Sequence, residues 1–343
     1  VCSSDLAIRT NQLPDKSLLS AILLLILFGW IMSFSASLAH TGSYLNLYKQ
    51  TVFIFMGFSA GLILLNTPIS VLQKYSIPLF ILTIILLIAV FLPSPIGHKA
   101  NGSYRWINFV FFKFQPSELM KLSMVLFMAG FLIRQEKDIR KPWMGFLKTV
   151  LIIGIADILL IFEADIGATV IISLTALAML YAAGSYIKQL SIVVLALFTM
   201  IGAIVMYNPN RLYRIVSFWS EDLWGKADGV HQTQQALIGI ARGDWFGTGL
   251  GAGIQKYSLL PEPQTDMIFS TIGEELGVLG MLFVLLSYLY ILLKGFSIAK
   301  IALQKGRNYS SYVVFGICTW FAMQITVNIG MNLGLLPPKG FTL

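Results

Sequence analysis

The 343-residue sequence is 57% hydrophobic and only 12% charged, against roughly a quarter charged in an ordinary soluble domain. This composition excludes a water-soluble globular protein, because too few charged residues are present to cover its surface. The formal net charge is +8, but the basic residues are dispersed between apolar segments and no nucleic-acid-binding module is present, which argues against nucleic acid as a partner.

Apolar segments recur along the chain, and several reach the roughly 20 residues that a helix needs to cross a bilayer. We therefore predict an all-α polytopic membrane protein, a single integral membrane domain over residues 1–343, with nine spans. The fifth and sixth spans are separated by a tight turn at Phe162–Asp165, where two acids interrupt the apolar sequence. The predicted spans are approximately Ser17–Ala39, Thr51–Asn66, Tyr75–Leu92, Ser117–Ile133, Gly145–Ile161, Ile166–Gly184, Gln189–Tyr207, Ile268–Leu293 and Ser310–Leu336.

Basic residues in the short connections lie mostly on the side that also holds the amino terminus. By the positive-inside rule this bias places the amino terminus in the cytoplasm. The first span is long enough to cross the membrane, so we expect it to drive insertion without a removable signal peptide. Cys2 lies near the amino terminus and Cys318 inside a predicted span, and these two cysteines predict neither a disulfide framework nor a zinc site.

One connection is much longer than the others. Asn208–Met267 is rich in glycine, tryptophan, glutamine and charge, and it is predicted to lie outside the membrane. Loops of this length are usually functional or disordered, and its aromatic residues favour packing at the membrane surface. Outer basic residues can grip phosphate oxygens, although solvated or headgroup-contacting roles are equally consistent; they are Arg105, Arg211, Arg214, Arg242 and Lys256.

The run FGTGLGAG at positions 246–253 superficially matches a dinucleotide-binding loop. No strand precedes it and no βαβ unit can surround it, so this match is discarded. Backbone amides in such a glycine-rich turn could still approach a lipid pyrophosphate, as anion-binding nests do.

Asp266 lies where the acidic end of the long loop enters the eighth span. If the helix begins near it, Asp266, Ser270 and Glu274 share one face, with Glu274 about 12 Å deeper along the axis. The alternative is that Asp266 only interacts with the positive end of the helix.

Charged residues inside spans are costly and are candidate functional residues. The adjacent acids Glu274 and Glu275 point in different directions, so at least one needs a polar partner or a cavity, unless both remain wet near the surface. Glu118 and Lys121 can pair across one helical turn of the fourth span. That pair is either a structural bridge alone or a bridge that also walls an active cavity.

Gln324, Asn328 and Asn332 recur every four residues on the ninth span and form a polar stripe. Hydrogen bonding between helices explains such a stripe. No Ser-His-Asp set, P-loop or zinc pattern is present, so any chemistry must use carboxylates, bound metal or both.

Several motifs together resemble the SEDS family, the shape, elongation, division and sporulation proteins typified by FtsW and RodA. They are SFSAS at Ser33–Ser37, NGSYRWI at Asn101–Ile107, FQPSELMKLS at Phe114–Ser123, EADIG at Glu163–Gly167 and the run Gly239–Gly277, which contains LLPEPQTD. The segment Asn328–Leu343 is similar to the division-type FtsW branch. The resemblance implies a SEDS-type helical bundle with ten spans, of which the tenth would begin where this sequence stops.

The resemblance also implies site residues. Asp266 matches the catalytic aspartate of the family's LPE-x-x-TD run, although Gln264 and Met267 stand where the family has His and Phe. Substrate binding is predicted for the positions of the family's Arg-Trp pair, membrane Glu–Lys pair, loop glutamines and loop acid, and for two loop cations. These residues are Arg105, Trp106, Glu118, Lys121, Gln232, Gln235, Arg242, Lys256 and Glu262.

The activity implied by the resemblance is a peptidoglycan glycosyltransferase that polymerises lipid II at the outer face of the inner membrane, at the division septum. A sugar hydroxyl attacks the anomeric carbon of a lipid-linked glycan and expels undecaprenyl pyrophosphate, so no nucleotide is needed. We expect Asp266 to act as general base or metal ligand, with Mg²⁺ or Mn²⁺ as candidate cofactor. The implied partners are lipid II, the undecaprenyl-pyrophosphate-linked glycan, a class B penicillin-binding protein and other division proteins.

Two other functions remain open from the sequence. A lipid II flippase would line a path with Glu118, Lys121, Glu274 and Glu275, but the heaviest cluster of charge and glycine lies on one outer surface. A scaffold that only recruits division proteins is the second alternative.

Overall fold

The computed structural model describes residues 15–41, 45–92, 97–100, 103–108, 113–139, 144–207, 209, 212–213, 216, 218, 228–257, 260 and 263–337. Within these ranges each of the nine predicted spans falls on a helix. Their bounds are α1 (Lys16–Thr41), α2 (Leu45–Asn66), α3 (Ile69–Ala89), α4 (Pro116–Arg134), α6 (Met144–Phe162), α7 (Ile166–Ala182), α8 (Ile187–Met206), α10 (Ile268–Gln304) and α11 (Asn308–Asn332).

In the described part of the chain, seven helices are long and apolar enough to cross a membrane, and α7 is a shorter apolar helix. The prediction of an all-α polytopic membrane protein is therefore confirmed, while the exact number of spans stays a prediction. Helix α4 begins with Pro116, a residue that suits the first turn because proline lacks the amide hydrogen that this turn would leave unpaired.

The connections contain structure that the sequence did not predict. Strands β1 (Gly97–Ala100), β2 (Ser103–Asn108) and β3 (Lys113–Phe114) form an antiparallel sheet in the order β1-β2-β3. A short helix α5 (Glu136–Ile139) follows α4. The long loop contains helix α9 (Asp228–Gly243) and a 3₁₀ turn at Gln255–Tyr257.

The chain divides into two compact units. The first unit comprises Val1–Asn66, Val205–Lys294 and Gln324–Leu343. Its described core is apolar and joins α1, the first part of α10 and the end of α11 through Met32, Phe269, Ile272, Val284, Ile325 and Ile329.

The second unit comprises Thr67–Ile204 and Gly295–Met323. Helix α4 lies at its centre, since 78% of the apolar part of this helix is buried. The predicted turn between the fifth and sixth spans is confirmed, because α6 ends at Phe162 and α7 begins at Ile166. The Asp165 carboxylate accepts a hydrogen bond from the Ala168 amide (3.2 Å) and so caps α7.

Candidate active site

Helix α10 is interrupted at Gly277, which has φ 68° and ψ −164°. The interruption would leave main-chain groups unpaired, yet an adjoining turn of the glycine-rich loop pairs four of them. Because these four groups are paired, the broken helix is stable in an apolar setting, where unpaired main-chain groups are costly. The hydrogen bonds are Thr248 N to Glu274 O (2.9 Å), Gly249 N to Glu275 O (3.0 Å), Val278 N to Asp244 O (2.9 Å) and Leu279 N to Trp245 O (3.3 Å).

We expect Gly277→Ala to destabilise the protein strongly. A Cβ at this position would lie 2.5 Å from Gly247 N and 2.5 Å from Trp245 O, which are main-chain atoms that cannot swing away. The left-handed conformation adds about 1–3 kcal/mol for a residue with a side chain. The measurement is the thermal unfolding midpoint of the purified protein in detergent.

The matched control is Gly61→Ala, because a Cβ at Gly61 meets nothing within 4 Å. Alanine is favoured over glycine in a helix by roughly 0.5–1 kcal/mol, so the control should unfold at or above the wild-type temperature. Equal midpoints for both variants would contradict the role given to Gly277.

A buried ion pair lies beside this interruption. Lys256 Nζ is 2.5 Å from Glu275 Oε1, and both side chains are almost completely buried. The Ser35 hydroxyl of α1 accepts from Lys256 (2.9 Å) and donates to Glu275 Oε2 (2.8 Å). The Gly251 amide donates to the same carboxylate oxygen (3.0 Å). Through Glu275, helix α10 is thus connected both to the glycine-rich loop and to α1.

Glu274 holds the same loop from a second direction. Its buried carboxylate accepts from the amides of Ile254 (2.7 Å) and Gln255 (3.2 Å). Arg242, at the end of α9, lies 3.2 Å from Glu274 Oε1 and is 40% exposed. The prediction that at least one of the two adjacent acids needs a polar partner is confirmed, because both have one.

These contacts correct one expectation. The amides of Gly251, Ile254 and Gln255 bind the carboxylates of Glu274 and Glu275, so they do not form an open nest for a lipid pyrophosphate. The positive charges of Lys256 and Arg242 are likewise each matched by a buried acid. Substrate binding by these two residues stays a prediction.

A groove of about 350 Å³ is lined by residues of α1 and of this loop. Its apolar lining comes from Ile31, Phe34, Leu250 and Tyr257, and Ser35 and Lys256 border it. The paired Lys256 therefore borders a largely apolar space rather than an open site for an anion.

Asp266 lies in a turn at residues 263–267, just before α10 begins at Ile268. The condition for a shared helical face with Ser270 and Glu274 is therefore not met, since Asp266 precedes the helix. Its side chain is partly exposed. Its main-chain carbonyl accepts hydrogen bonds from the side-chain amides of Asn328 (3.1 Å) and Asn332 (3.0 Å).

In the second unit, the predicted pair of Glu118 and Lys121 is confirmed. Lys121 Nζ lies 2.8 Å from Glu118 Oε2, with Lys121 3% and Glu118 51% exposed. The ammonium also lies 5.3 Å from the ring centroid of Trp320, a cation–π contact. The pair thus has one buried end inside the unit and one half-exposed end, and its substrate role stays a prediction.

Arg105 braces the turn between α6 and α7. Its guanidinium donates to the carbonyl oxygens of Glu163 (3.3 Å) and Ala164 (2.8 Å). The Asp165 carboxylate in the same turn accepts from Gln115 (3.2 Å) and Ser117 (3.2 Å) at the start of α4. Three sequence motifs, carried by β2, α4 and this turn, therefore form one polar cluster.

The Glu163 side chain is fully buried, and neither of its carboxyl oxygens has a hydrogen-bond partner among the described residues. Burial, reinforced by the nearby charge of Asp165, raises the pKa of Glu163 to about 9. The predicted turn with its two acids is present, but the Glu163 carboxyl in it is buried, and its raised pKa favours the neutral, protonated form at neutral pH.

We expect Glu163→Gln to remove a pH dependence of stability. The pKa of this carboxyl is higher in the folded chain (about 9) than the ordinary value of 4.5, so folding takes up a proton between these pH values. Its contribution to stability therefore falls as pH rises through that window. Thermal unfolding over the window should show a shallower loss for Glu163→Gln than for the wild type.

The matched control is Glu136→Gln, which makes the same chemical change at an exposed position of the same unit. It should retain the wild-type pH dependence of stability. Parallel curves for the wild type and Glu163→Gln would contradict the protonated state of Glu163.

A second buried acid was missed from the sequence. Asp157 lies within α6, and its Oδ2 accepts a hydrogen bond from Ser173 of α7 (2.5 Å). The signal that could have found it is a single acid inside an apolar span, which calls for a partner on a neighbouring helix.

The other predicted residues lie apart from these contacts or outside the part of the chain that the structure describes. Gln232 and Gln235 are partly buried on α9, and Trp106 is partly buried on β2. Glu262, Arg211 and Arg214 lie outside the described residues. In the described part of the chain, no three histidine, cysteine or acidic side chains are grouped so that they could hold a metal ion.

The sequence model of the family FTSW_RODA_SPOVE, described as cell cycle protein, matches residues 16–343. The chain belongs to this FtsW/RodA/SpoVE family. The predicted resemblance to FtsW and RodA is thereby confirmed, while the roles of Asp266 and the other site residues within the matched range stay predictions.

Similar proteins from other bacteria are named FtsW, the division-type branch of the family. It is 37% identical over 98% of its length to a protein named "Probable peptidoglycan glycosyltransferase FtsW" from Legionella pneumophila, of which 86% is covered. A protein of the same name from Francisella salina is 36% identical over 98% of this chain and 84% of its own length. These relatives confirm the predicted FtsW branch.

Solved structures confirm the fold. A chain from the structure described as "Structural coordination of polymerization and crosslinking by a peptidoglycan synthase complex" matches with TM-score 0.76 and 21% identity, over 96% of this chain and 90% of that one. The rod shape determining protein RodA of Thermus thermophilus matches with TM-score 0.68 and 21% identity, over 96% and 88%. The SEDS-type helical bundle is therefore the fold of this chain.

Proposed function

We propose that this chain is a peptidoglycan glycosyltransferase that polymerises lipid II at the outer face of the cytoplasmic membrane during cell division. The observation that carries the proposal is identity of 37% over 98% of the chain to a relative named for that activity. The LPE-x-x-TD run lies inside the matched segment, and its partly exposed aspartate lies in the turn just before a broken membrane helix.

In the proposed reaction, the 4-hydroxyl oxygen of the acceptor sugar forms a bond to the anomeric carbon of the lipid-linked glycan. The bond from that carbon to the pyrophosphate oxygen breaks, and undecaprenyl pyrophosphate leaves with the electron pair. Asp266 takes the hydroxyl proton as general base. A positioned base of this kind contributes about 10²–10⁴-fold to the rate.

The experiment that tests the proposal separates a polymerase from a flippase. Purified protein in detergent, given lipid II and a divalent cation, should produce glycan chains that are resolved by gel electrophoresis. A flippase has no bilayer to act on in detergent and makes no chains. Absence of polymer from folded, detergent-purified protein would overturn the proposed function.

The ion pairs described above also weigh against a transport path. Glu274 and Glu275 were two of the four charged residues that a flippase would use, and both are engaged by cations and loop amides inside the first unit. A path for a charged headgroup needs polar groups that are available to the cargo.

We also propose Mg²⁺ or Mn²⁺ as a cofactor. Both ions bind oxygen ligands, and the substrate pyrophosphate and the Asp266 carboxylate supply such oxygens. No step of the reaction above depends on the ion. Polymerisation should fall when EDTA is added and recover with Mg²⁺ or Mn²⁺; equal rates throughout would remove the ion from the proposal.

A class B penicillin-binding protein is the proposed partner, acting with this chain at the division septum of the inner membrane. Support comes from the likeness in fold to a chain from a complex of polymerization and crosslinking. Co-expression of the two proteins should give a complex that elutes as one species in detergent. Separate elution under those conditions would contradict the partnership.

A further inference from the structure

The main chain of Asp266 is fixed by two asparagines of α11. The Nδ2 atoms of Asn328 and Asn332 both donate to the Asp266 carbonyl oxygen, at 3.1 Å and 3.0 Å. That carbonyl lies in the turn before α10, where no helical amide pairs with it in the regular pattern. Both asparagine side chains have 0% exposure, so an amide donor left without its acceptor at either position would be expensive.

Asn332 also holds the residues that follow Asp266. Its Oδ1 accepts from the Ser270 amide in the first turn of α10 (3.0 Å), one of the amides that a helix start leaves unpaired. The two hydrogens of its Nδ2 are shared among three acceptors, since this atom also lies 2.9 Å from the main-chain carbonyl oxygen and 3.1 Å from Oδ1 of Asn328. One side chain therefore clamps the chain on both sides of Met267.

The spacing of the two asparagines explains why both reach the same carbonyl. Four residues apart on a helix, they lie one above the other on one face. The apolar contacts of Ile325 and Ile329 with Phe269 and Ile272 hold this part of α11 against the start of α10. The two asparagines are thus carried by a packed helix, which is a more rigid support than the loop that contains Asp266.

We propose that Asn328 and Asn332 are positioning residues for the catalytic step, acting through the main chain of Asp266. This inference rests on the proposed function. They do not touch the reacting atoms; they fix the point from which the Asp266 carboxylate reaches the acceptor hydroxyl. A misplacement of about 1 Å can cost on the order of 100-fold in rate, so loss of this clamp should act on the chemical step.

The test uses the full chain purified in detergent, with lipid II as substrate. Asn332→Asp has nearly the same size and keeps an acceptor for the Ser270 amide, while it removes the neutral donor to Asp266. Asn328→Ala removes one donor and leaves the Ser270 contact intact. Both should lower kcat about 10- to 100-fold. The KM for lipid II should change less than about twofold, because neither substitution removes a contact that holds the substrate equally in the ground state and the transition state.

Thr326→Ala is the matched control, because Thr326 is exposed on the same helix; its kcat and KM should equal those of the wild type. Wild-type kcat in both asparagine variants would overturn the positioning role. A fall in kcat that only follows the loss of folded protein, measured by thermal unfolding, would overturn it equally. If the wild type itself makes no polymer, the proposed function fails instead, which distinguishes the two failures.

Discussion

Replacement of Asp266 by asparagine is expected to lower the rate of lipid II polymerisation by at least about 100-fold, the smaller end of the range for a positioned general base. Asparagine has the same shape and cannot accept the hydroxyl proton. The main-chain carbonyl of residue 266 remains available to Asn328 and Asn332, so the folded structure should persist. Polymer formed per minute from purified lipid II is the measurement.

Asp244→Asn is the control for this substitution. Asp244 is an exposed acid in the same unit, with φ 46°, and asparagine tolerates that left-handed conformation. The control should polymerise at the wild-type rate and unfold at the wild-type temperature. A near-normal rate for Asp266→Asn would remove this aspartate from the reaction and leave the general base unassigned.

Lys256→Met is expected to cost about 3–5 kcal/mol of stability, because it leaves the Glu275 carboxylate buried without its counter-ion. Methionine fills similar volume, so the loss is electrostatic rather than a cavity effect. Ser35 and the Gly251 amide still contact Glu275, but neither carries a charge. The thermal unfolding midpoint in detergent is the measurement.

The double variant Lys256→Met, Glu275→Gln tests the cause. Removing both charges takes away the desolvation cost of each, so the double variant should be more stable than Lys256→Met alone. Lys294→Met is the control, since Lys294 pairs with Asp15 at the surface (3.1 Å) and its loss should change the midpoint little. Additive losses in the double variant would show that the pair is not coupled.

The two units of the chain use polar groups differently. In the first unit, Glu274 and Glu275 organise a loop of glycines and pair with Arg242 and Lys256, so the charges balance inside. In the second unit, Glu163 and Asp157 are buried acids without a described cation in hydrogen-bond contact. We therefore expect the loss of a single charge to destabilise the first arrangement, whereas a neutral amide in place of the acid should be tolerated in the second.

The predicted helices follow from sequence because a membrane span needs only a run of apolar residues of sufficient length, and that run is a local property. The Glu118–Lys121 bridge could be predicted for the same reason, since helix geometry alone brings residues three apart together. The turn at Glu163–Asp165 was equally local. The family was recognisable because its motifs are contiguous in sequence.

Tertiary structure decided which distant groups meet. The sequence required a partner for Glu274 or Glu275, but only the fold selected Arg242, Lys256, Ser35 and the loop amides, because these contacts join segments far apart in the chain. The polar stripe of Asn328 and Asn332 predicted hydrogen bonds between helices, yet its acceptor, the carbonyl of Asp266, is a main-chain group that carries no sequence signal.

The interruption at Gly277 shows the same limit. In sequence it follows the acids Glu274 and Glu275 and stands between Gly273 and Gly280, and the predicted span ran through it as one continuous helix. The break is stable only because a turn of the glycine-rich loop supplies both donors and acceptors at the right places. The local sequence pattern therefore determined where the helices lie and which polar residues they carry. The pairing of buried polar groups was decided by tertiary packing, because each such group needs a partner that is close in space rather than in sequence.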